Sequence, residues 1–198
     1  ATTVLEEKGI KIESEEALDL LEENGADVDR ETQIAKMPRS LVEEMAERAP
    51  SSFELGARDE ENYLTLDTDT SVFGPGSGVT QINDPRTGER RTPTRDDVTD
   101  AVRLAHSLPN IDVAWPTFSL PDDSMLGFHN LYTLLTENTK HGAIVNWYGG
   151  ELTEKLIDMI DIVDDGPTGE RPLVTMYSEP VSPLTFRREN MESMLRWT

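Results

Sequence analysis

Three aromatic clusters are where this sequence offers chemistry: Trp115-Pro116-Thr117, Asn146-Trp147-Tyr148 and Tyr177-Ser178-Glu179-Pro180. Each follows a short apolar run, so each reads as the end of a strand. Aromatic faces carry the negative part of the ring quadrupole, and several together hold a quaternary ammonium at about 0.5–2 kcal/mol per contact. Rings that fill space or anchor loops are an equally open reading of the same residues. The second feature is a glycine loop, Gly74-Pro75-Gly76-Ser77-Gly78. It fails as a dinucleotide fingerprint, because a strand-like segment follows it where a helix is needed. Gly76, Ser77 and Gly78 instead suit a place where backbone closely approaches a ligand or another segment. A plain turn is the alternative.

Other chemistry is thin. His106, His129 and His141 have no metal-ligand spacing, and no His-Glu-x-x-His sequence occurs. His106 falls at a helix end, where a surface or packing role fits; His129 and His141 are unassigned. Arg86, Arg90, Arg91 and Arg95 form one basic cluster, which internal ion pairs explain better than phosphate binding in so acidic a chain. There is no cysteine, which excludes disulfides, thiolate catalysis and cysteine zinc sites. Catalytic residues are not identifiable. The formal net charge of -21 disfavours nucleic acid and anionic membranes as partners. The acid is spread along the chain and lysine is scarce. That pattern fits a halophilic, high-salt cytoplasm, where screening removes self-repulsion; an ordinary acidic surface is the other explanation. No apolar run approaches the roughly 20 residues of a membrane span, and the first residues lack a signal-peptide pattern, so a cytoplasmic protein is expected.

The elements that must position these residues fall into two parts. Residues 1–93 read as a helical segment followed by a β-rich insert. Ser14 caps a helix ending at Gly25, and a second helix runs from Pro38 to Pro50 with Leu41, Val42 and Met45 on one face. Strands are expected at Tyr63–Leu66, Val72–Phe73 and Val79–Asn83, with a turn over residues 84–89. Residues 94–198 alternate strand and helix. Thr94 caps a helix closed by Pro109, and strands are expected at Ile111–Trp115, Ala143–Trp147 and Leu173–Tyr177. Their starts lie about 30 residues apart, the length of a βα unit, which makes the strands parallel. A complete (β/α)8 barrel needs about 250 residues, so the expected fold class is α/β, an incomplete TIM-type barrel preceded by the helical and β-rich segment.

Eight segments in order carry a resemblance: Val4 to Ile10, Ser14 to Leu21, Gly25 to Asp29, Phe73 to Gly78, Thr87 to Arg91, Thr94 to Val98, Leu108 to Asp112, and Val181 to Leu184. Together they resemble the N-terminal portion of the trimethylamine:corrinoid methyltransferase family, including its glycine-betaine-type relatives that lack pyrrolysine. The resemblance implies a TIM barrel that moves a methyl group from a methylated amine or betaine to the cobalt of a separate corrinoid protein. It implies no directly bound cofactor; the corrinoid (cobalamin) arrives on its partner. The pyrrolysine of the trimethylamine members belongs to a later strand, beyond Thr198, so this chain alone is expected to be inactive. Trp115, Trp147, Tyr148 and Tyr177, with Gly76, Ser77 and Gly78, are then the expected lining of a methylammonium pocket. A second expectation belongs to another class: a non-catalytic binding or assembly module, whose exposed strand edges would favour homo-oligomers.

Overall fold

The computed structural model describes residues 1–76, 78–120, 123–145, 148–164 and 171–197. In chain order, α1 (Thr2–Glu7), β1 (Ile10–Ile12), α2 (Glu15–Glu23), β2 (Asp27–Asp29), β3 (Ile34–Lys36) and α3 (Arg39–Arg48) come first. Then follow β4 (Phe53–Leu55), β5 (Leu64–Leu66), β6 (Ile82–Asn83), β7 (Arg90–Arg91) and α4 (Arg95–Ser107). The last are β8 (Val113–Ala114), α5 (Leu126–Glu137), β9 (His141–Val145), α6 (Gly150–Asp161), β10 (Val174–Tyr177), β11 (Thr185–Phe186) and α7 (Arg188–Trp197). The architecture is mixed α/β with several small sheets, and no barrel closes among the described residues. Two compact units divide it: Ala1–Ser51 with Asn146–Lys155 and Ser178–Thr198, and Ser52–Val145 with Leu156–Tyr177.

The first unit corrects an expectation. Its opening residues were expected to be helices joined by turns, yet they build a four-stranded sheet in the order β11-β1-β3-β2. β1 pairs antiparallel with β3 and parallel with β11, a segment from near the other end of the chain. Strands of three residues are too short to show alternation, and the partner that makes β1 a strand lies far along the chain. The helix signals hold where capping chemistry is local. Ser14 accepts the Ala17 N–H at 3.3 Å, and Gly25 takes φ 93° just past the end of α2. Pro38 stands immediately before α3. Ile10, Ile12, Ala17, Leu18, Ala35 and Met191 form the core of this unit.

The second unit carries the parallel sheet. β8, β9 and β10 lie side by side in sequence order, all parallel, with α5 and α6 in the crossovers. His141, Gly142, Ala143 and Ile144 of the central strand are buried, as a strand covered on both faces requires. Val98, Val102 and Ala105 of α4 and Leu131, Leu134 and Leu135 of α5 are buried in the helical layer. Burying a Leu or Val side chain stabilises by about 1.5–3 kcal/mol, so these stripes supply most of the helices' hold. A capping box starts α4: Thr94 accepts from Asp97 N, and the Asp97 carboxylate accepts from Thr94 N at 2.7 Å.

Loop strands were over-read. Val72–Phe73 is not a strand, and the expected strand over Val79–Asn83 reduces to a bridge at Val79 and the two residues of β6. The turn after Asn83 is present. Asp84 accepts the N–H groups of Arg86 and Thr87, as Asp29 and Asp67 do from residues two and three further on. All three carboxyls sit below their ordinary value. The largest causes are bonds from the Thr32 hydroxyl to Asp29, the Thr70 hydroxyl to Asp67, and the Arg86 N–H to Asp84.

Candidate site at the C-terminal ends of the parallel strands

Trp115 follows β8 directly and Tyr177 is the last residue of β10, so both stand at the C-terminal ends of parallel strands. β9 lies between them, which separates their backbones by two strand spacings, about 10 Å. Their rings nevertheless meet, with centroids 4.6 Å apart and planes inclined by 34°. Both side chains therefore lean over the end of the central strand. Such a contact is worth about 0.5–1.5 kcal/mol beyond burial. Tyr177 remains 48% exposed, so part of the pair is open to solvent.

The residues that flank the glycine loop bond to the chain on either side of Trp115. At one end, the Phe73 carbonyl accepts from Asp112 N at 2.8 Å and from Val113 N at 3.2 Å, while the Asp112 carboxylate accepts from Phe73 N at 2.8 Å. At the other, Val79 bridges Phe118 in parallel: its N–H donates to Thr117 O at 3.1 Å and its carbonyl accepts from Ser119 N at 2.9 Å. The loop is thus pinned on either side of Trp115, along the edge of β8 that faces away from β9. A Cβ at Gly74 would sit 3.2 Å from Val113 O, a tight contact that glycine avoids. At Gly76 and Gly78 an added Cβ would meet nothing within 4 Å, and Gly78 takes φ 77°.

Of the other expected lining residues, Trp147 and Ser77 lie outside the described residues. Tyr148 belongs to the other compact unit, where its carbonyl accepts from Thr153 Oγ1 at 3.4 Å. Thr153 in turn bonds Ser193 Oγ at 3.1 Å, and both side chains are fully buried.

The opposite, N-terminal ends of the strands are closed. The β4–β5 hairpin reaches them through Gly56, whose N–H donates to Pro172 O at 3.0 Å. His141 is 1% exposed and joins both sides: its Nδ1 lies 2.8 Å from Gly56 O and its Nε2 2.8 Å from Thr175 Oγ1. A carbonyl only accepts, so Nδ1 carries the proton and Nε2 accepts from the threonine hydroxyl. Burial holds this imidazole below its ordinary pKa, against the opposing pull of its backbone bonds. Lys140 closes the lower end of α4, donating to the carbonyls of Ala105 at 3.2 Å, Leu108 at 2.7 Å and Ile111 at 2.5 Å.

Two arginines of the basic cluster form internal ion pairs. Arg91 forks onto Asp97 at 2.7 and 2.8 Å and also reaches Asp84, which holds the Asp97 carboxyl well below the usual range. Arg95 bonds Asp123 at 3.2 Å. Asp123 was hidden among many acids in the sequence, yet it also accepts from Met125 N at 3.0 Å and pairs with His129 Nδ1 at 2.8 Å. Its side chain is 8% exposed. Burial pushes this carboxyl up, but the bonds from His129 and Met125 outweigh it and hold it below its ordinary value. No group of His, Asp or Glu suited to a metal ion occurs among the described residues. Nor is any described helix long and apolar enough to cross a membrane.

Parallel strands joined through helices, with an aromatic pair at their C-terminal ends, place the chain in the mixed α/β class. The chain belongs to the trimethylamine methyltransferase (MTTB) family, whose profile matches residues 1–198. It is 35% identical over 186 residues to trimethylamine methyltransferase MttB of Desulfitobacterium hafniense, covering 91% of this chain and 37% of that relative. It is 27% identical to a glycine betaine methyltransferase of the same species, over 98% of this chain and 41% of the relative. A trimethylamine methyltransferase MttB of Methanosarcina thermophila is 27% identical over 91% of this chain and 39% of its own length. The chain therefore spans about two fifths of the curated relatives it matches.

Proposed function

We propose that this chain is the N-terminal segment of a methyltransferase that takes a methyl group from a methylated amine, trimethylamine or a betaine, and delivers it to a corrinoid protein. The observation that carries the reading is the Trp115–Tyr177 contact across the end of β9. Two electron-rich faces at the mouth of a parallel sheet suit a methylated cation better than an anion or a neutral polar ligand. The rings already touch, so the cation meets their outward faces rather than a gap between them. Gly76 and Gly78, which leave open space where a side chain would stand, belong to the same lining in this reading.

The fold proposal follows the same logic. Three parallel strands in sequence order, with helices in the crossovers, suit the first units of a (β/α)8 barrel. Methyl transfer needs water excluded and an open mouth for the methyl acceptor, the cobalt of a corrinoid carried on its own protein. Three units do not enclose such a space, so the segment alone is inactive in this reading, and its setting is the cytoplasm.

Titration of the intact protein with trimethylamine, glycine betaine and proline betaine tests the site. Trp115→Ala and Tyr177→Ala should each weaken binding by about 2- to 30-fold, the equivalent of one cation–π contact. Unchanged affinity in both variants rejects the pocket.

A second reading, a non-catalytic assembly module, draws on exposed apolar side chains such as Leu104, Tyr132 and Ile162. It is weakened at β8, where Val113 N–H is taken up by the Phe73 carbonyl. Sedimentation of the isolated segment separates the two: concentration-dependent association supports the module, and a monodisperse monomer opposes it.

A further inference from the structure

We propose that Asp112 is a positioning residue for Trp115, acting through the backbone of Phe73. The two rings of the aromatic pair are not held alike. Tyr177 sits inside the strand ladder, where its partner is Val145 of β9. Trp115 does not, because the pairing between β8 and β9 ends at Ala114 opposite Gly142. Beyond that point the chain that carries the indole is supported by bonds from Phe73 on one side of Trp115 and from Val79 on the other.

That support has two anchors. The far one, Val79 on Thr117 and Ser119, is made by backbone alone. The near one has a side chain in it: the Asp112 carboxylate accepts the Phe73 N–H at 2.8 Å, three residues before Trp115. Phe73 also bonds the Asp112 and Val113 N–H groups, so a two-sided clamp forms at this residue. Without the carboxylate the Phe73 carbonyl keeps its two donors while its N–H loses its partner. The brace then loosens without the sheet coming apart, and the indole is free to turn away from Tyr177.

The consequence for binding rests on reading Trp115 and Tyr177 as a cation site, so the test separates the two claims. The intact protein is labelled with 5-fluorotryptophan, and the Trp115 resonance is assigned as the one that Trp115→Phe removes. Asp112→Ala should shift or broaden that resonance and leave those of the other tryptophans in place. It should also weaken binding of tetramethylammonium by about fivefold, the size of one hydrogen bond. Asp112→Asn keeps an acceptor for the Phe73 N–H and should restore both. An Asp112→Ala spectrum identical to wild type overturns the proposal. So does an Asp112→Asn variant as impaired as Asp112→Ala, or a shift of all resonances together with a lowered Tm. If Trp115→Ala and Tyr177→Ala bind tetramethylammonium like wild type, the cation reading fails, and the fluorine resonance alone decides the brace.

Discussion

Replacing His141 should remove a specific pH dependence of stability, and the size follows from its surroundings. In the folded protein the imidazole is buried and neutral, donating to Gly56 O and accepting from Thr175 Oγ1. In the unfolded chain it titrates near 6.5. Below that pH the unfolded state binds a proton that the folded state refuses, so stability falls as pH drops. The slope approaches about 1.4 kcal/mol per pH unit and persists down to the lowered native pKa. The carboxylates act later. Asp29, Asp67, Asp84 and Asp123 are all held below 3.8 in the folded state, so their contribution is lost only as pH falls past that value. The window from about 6.5 to about 5 therefore isolates histidine. His141→Leu removes both bonds and leaves Gly56 O and the Thr175 hydroxyl without this partner, a loss of about 2–5 kcal/mol at neutral pH. Its stability should then be flatter than wild type across the window. Urea unfolding followed by circular dichroism at several pH values measures both effects. A variant with the wild-type slope would refute a neutral buried imidazole in the folded protein, and a loss well under 1 kcal/mol would refute the two buried bonds.

Three further outcomes are expected. Lys140→Met should cost about 2 kcal/mol in urea unfolding, because the carbonyls of Ala105, Leu108 and Ile111, in the last turn of α4 and just past it, lose a charged donor that methionine cannot replace. Gly56→Ala should cost more than an ordinary surface change and lower Tm by several degrees, since the new Cβ would lie 2.2 Å from Arg171 O, a backbone atom. Raising KCl from about 0.1 M to about 1 M should raise the urea midpoint, because shortening the screening length from about 10 Å to about 3 Å relieves a net charge of -21. A midpoint unchanged by salt would remove the argument for a high-salt adaptation.

What was legible in the sequence had local causes. Ser14 with Gly25, and Thr94 with Asp97, mark helix ends by chemistry within a few residues, and the structure has those ends. The three parallel strands were visible because buried runs near 113, 143 and 175 recur at the length of a βα unit. Their exact reach was not. The first was expected to include Trp115, but the ladder stops at Ala114, because pairing depends on where β9 lies rather than on apolar character. The N-terminal sheet was missed for the same reason: β1 is a strand because of β3 and Thr185–Phe186, and nothing within Ile10–Ile12 announces that. In the site, aromatic residues at strand ends stood out by type. Asp112, Asp123 and His141 did not, since each has a partner far along the chain: Phe73 N, Arg95, and Gly56 O with Thr175 Oγ1 respectively.

The two ends of the parallel sheet are built on opposite principles, and this asymmetry gives the candidate site its meaning. At the N-terminal ends every polar group named above is consumed: His141 uses both nitrogens, Lys140 meets three carbonyls, and Gly56 is close against Arg171. Such saturation fixes the strands in place. At the C-terminal ends the order reverses. The ladder gives out before Trp115, and a half-exposed tyrosine meets it across the central strand. Apolar faces left accessible cost stability unless something covers them. A rigid floor lets that cost be carried at the other end, because strands anchored below keep Trp115 and Tyr177 in register above. Loosening the floor at His141 should therefore disturb the aromatic pair although the two lie at opposite ends of the same strands, whereas loosening Asp112 should disturb the pair and leave the floor intact.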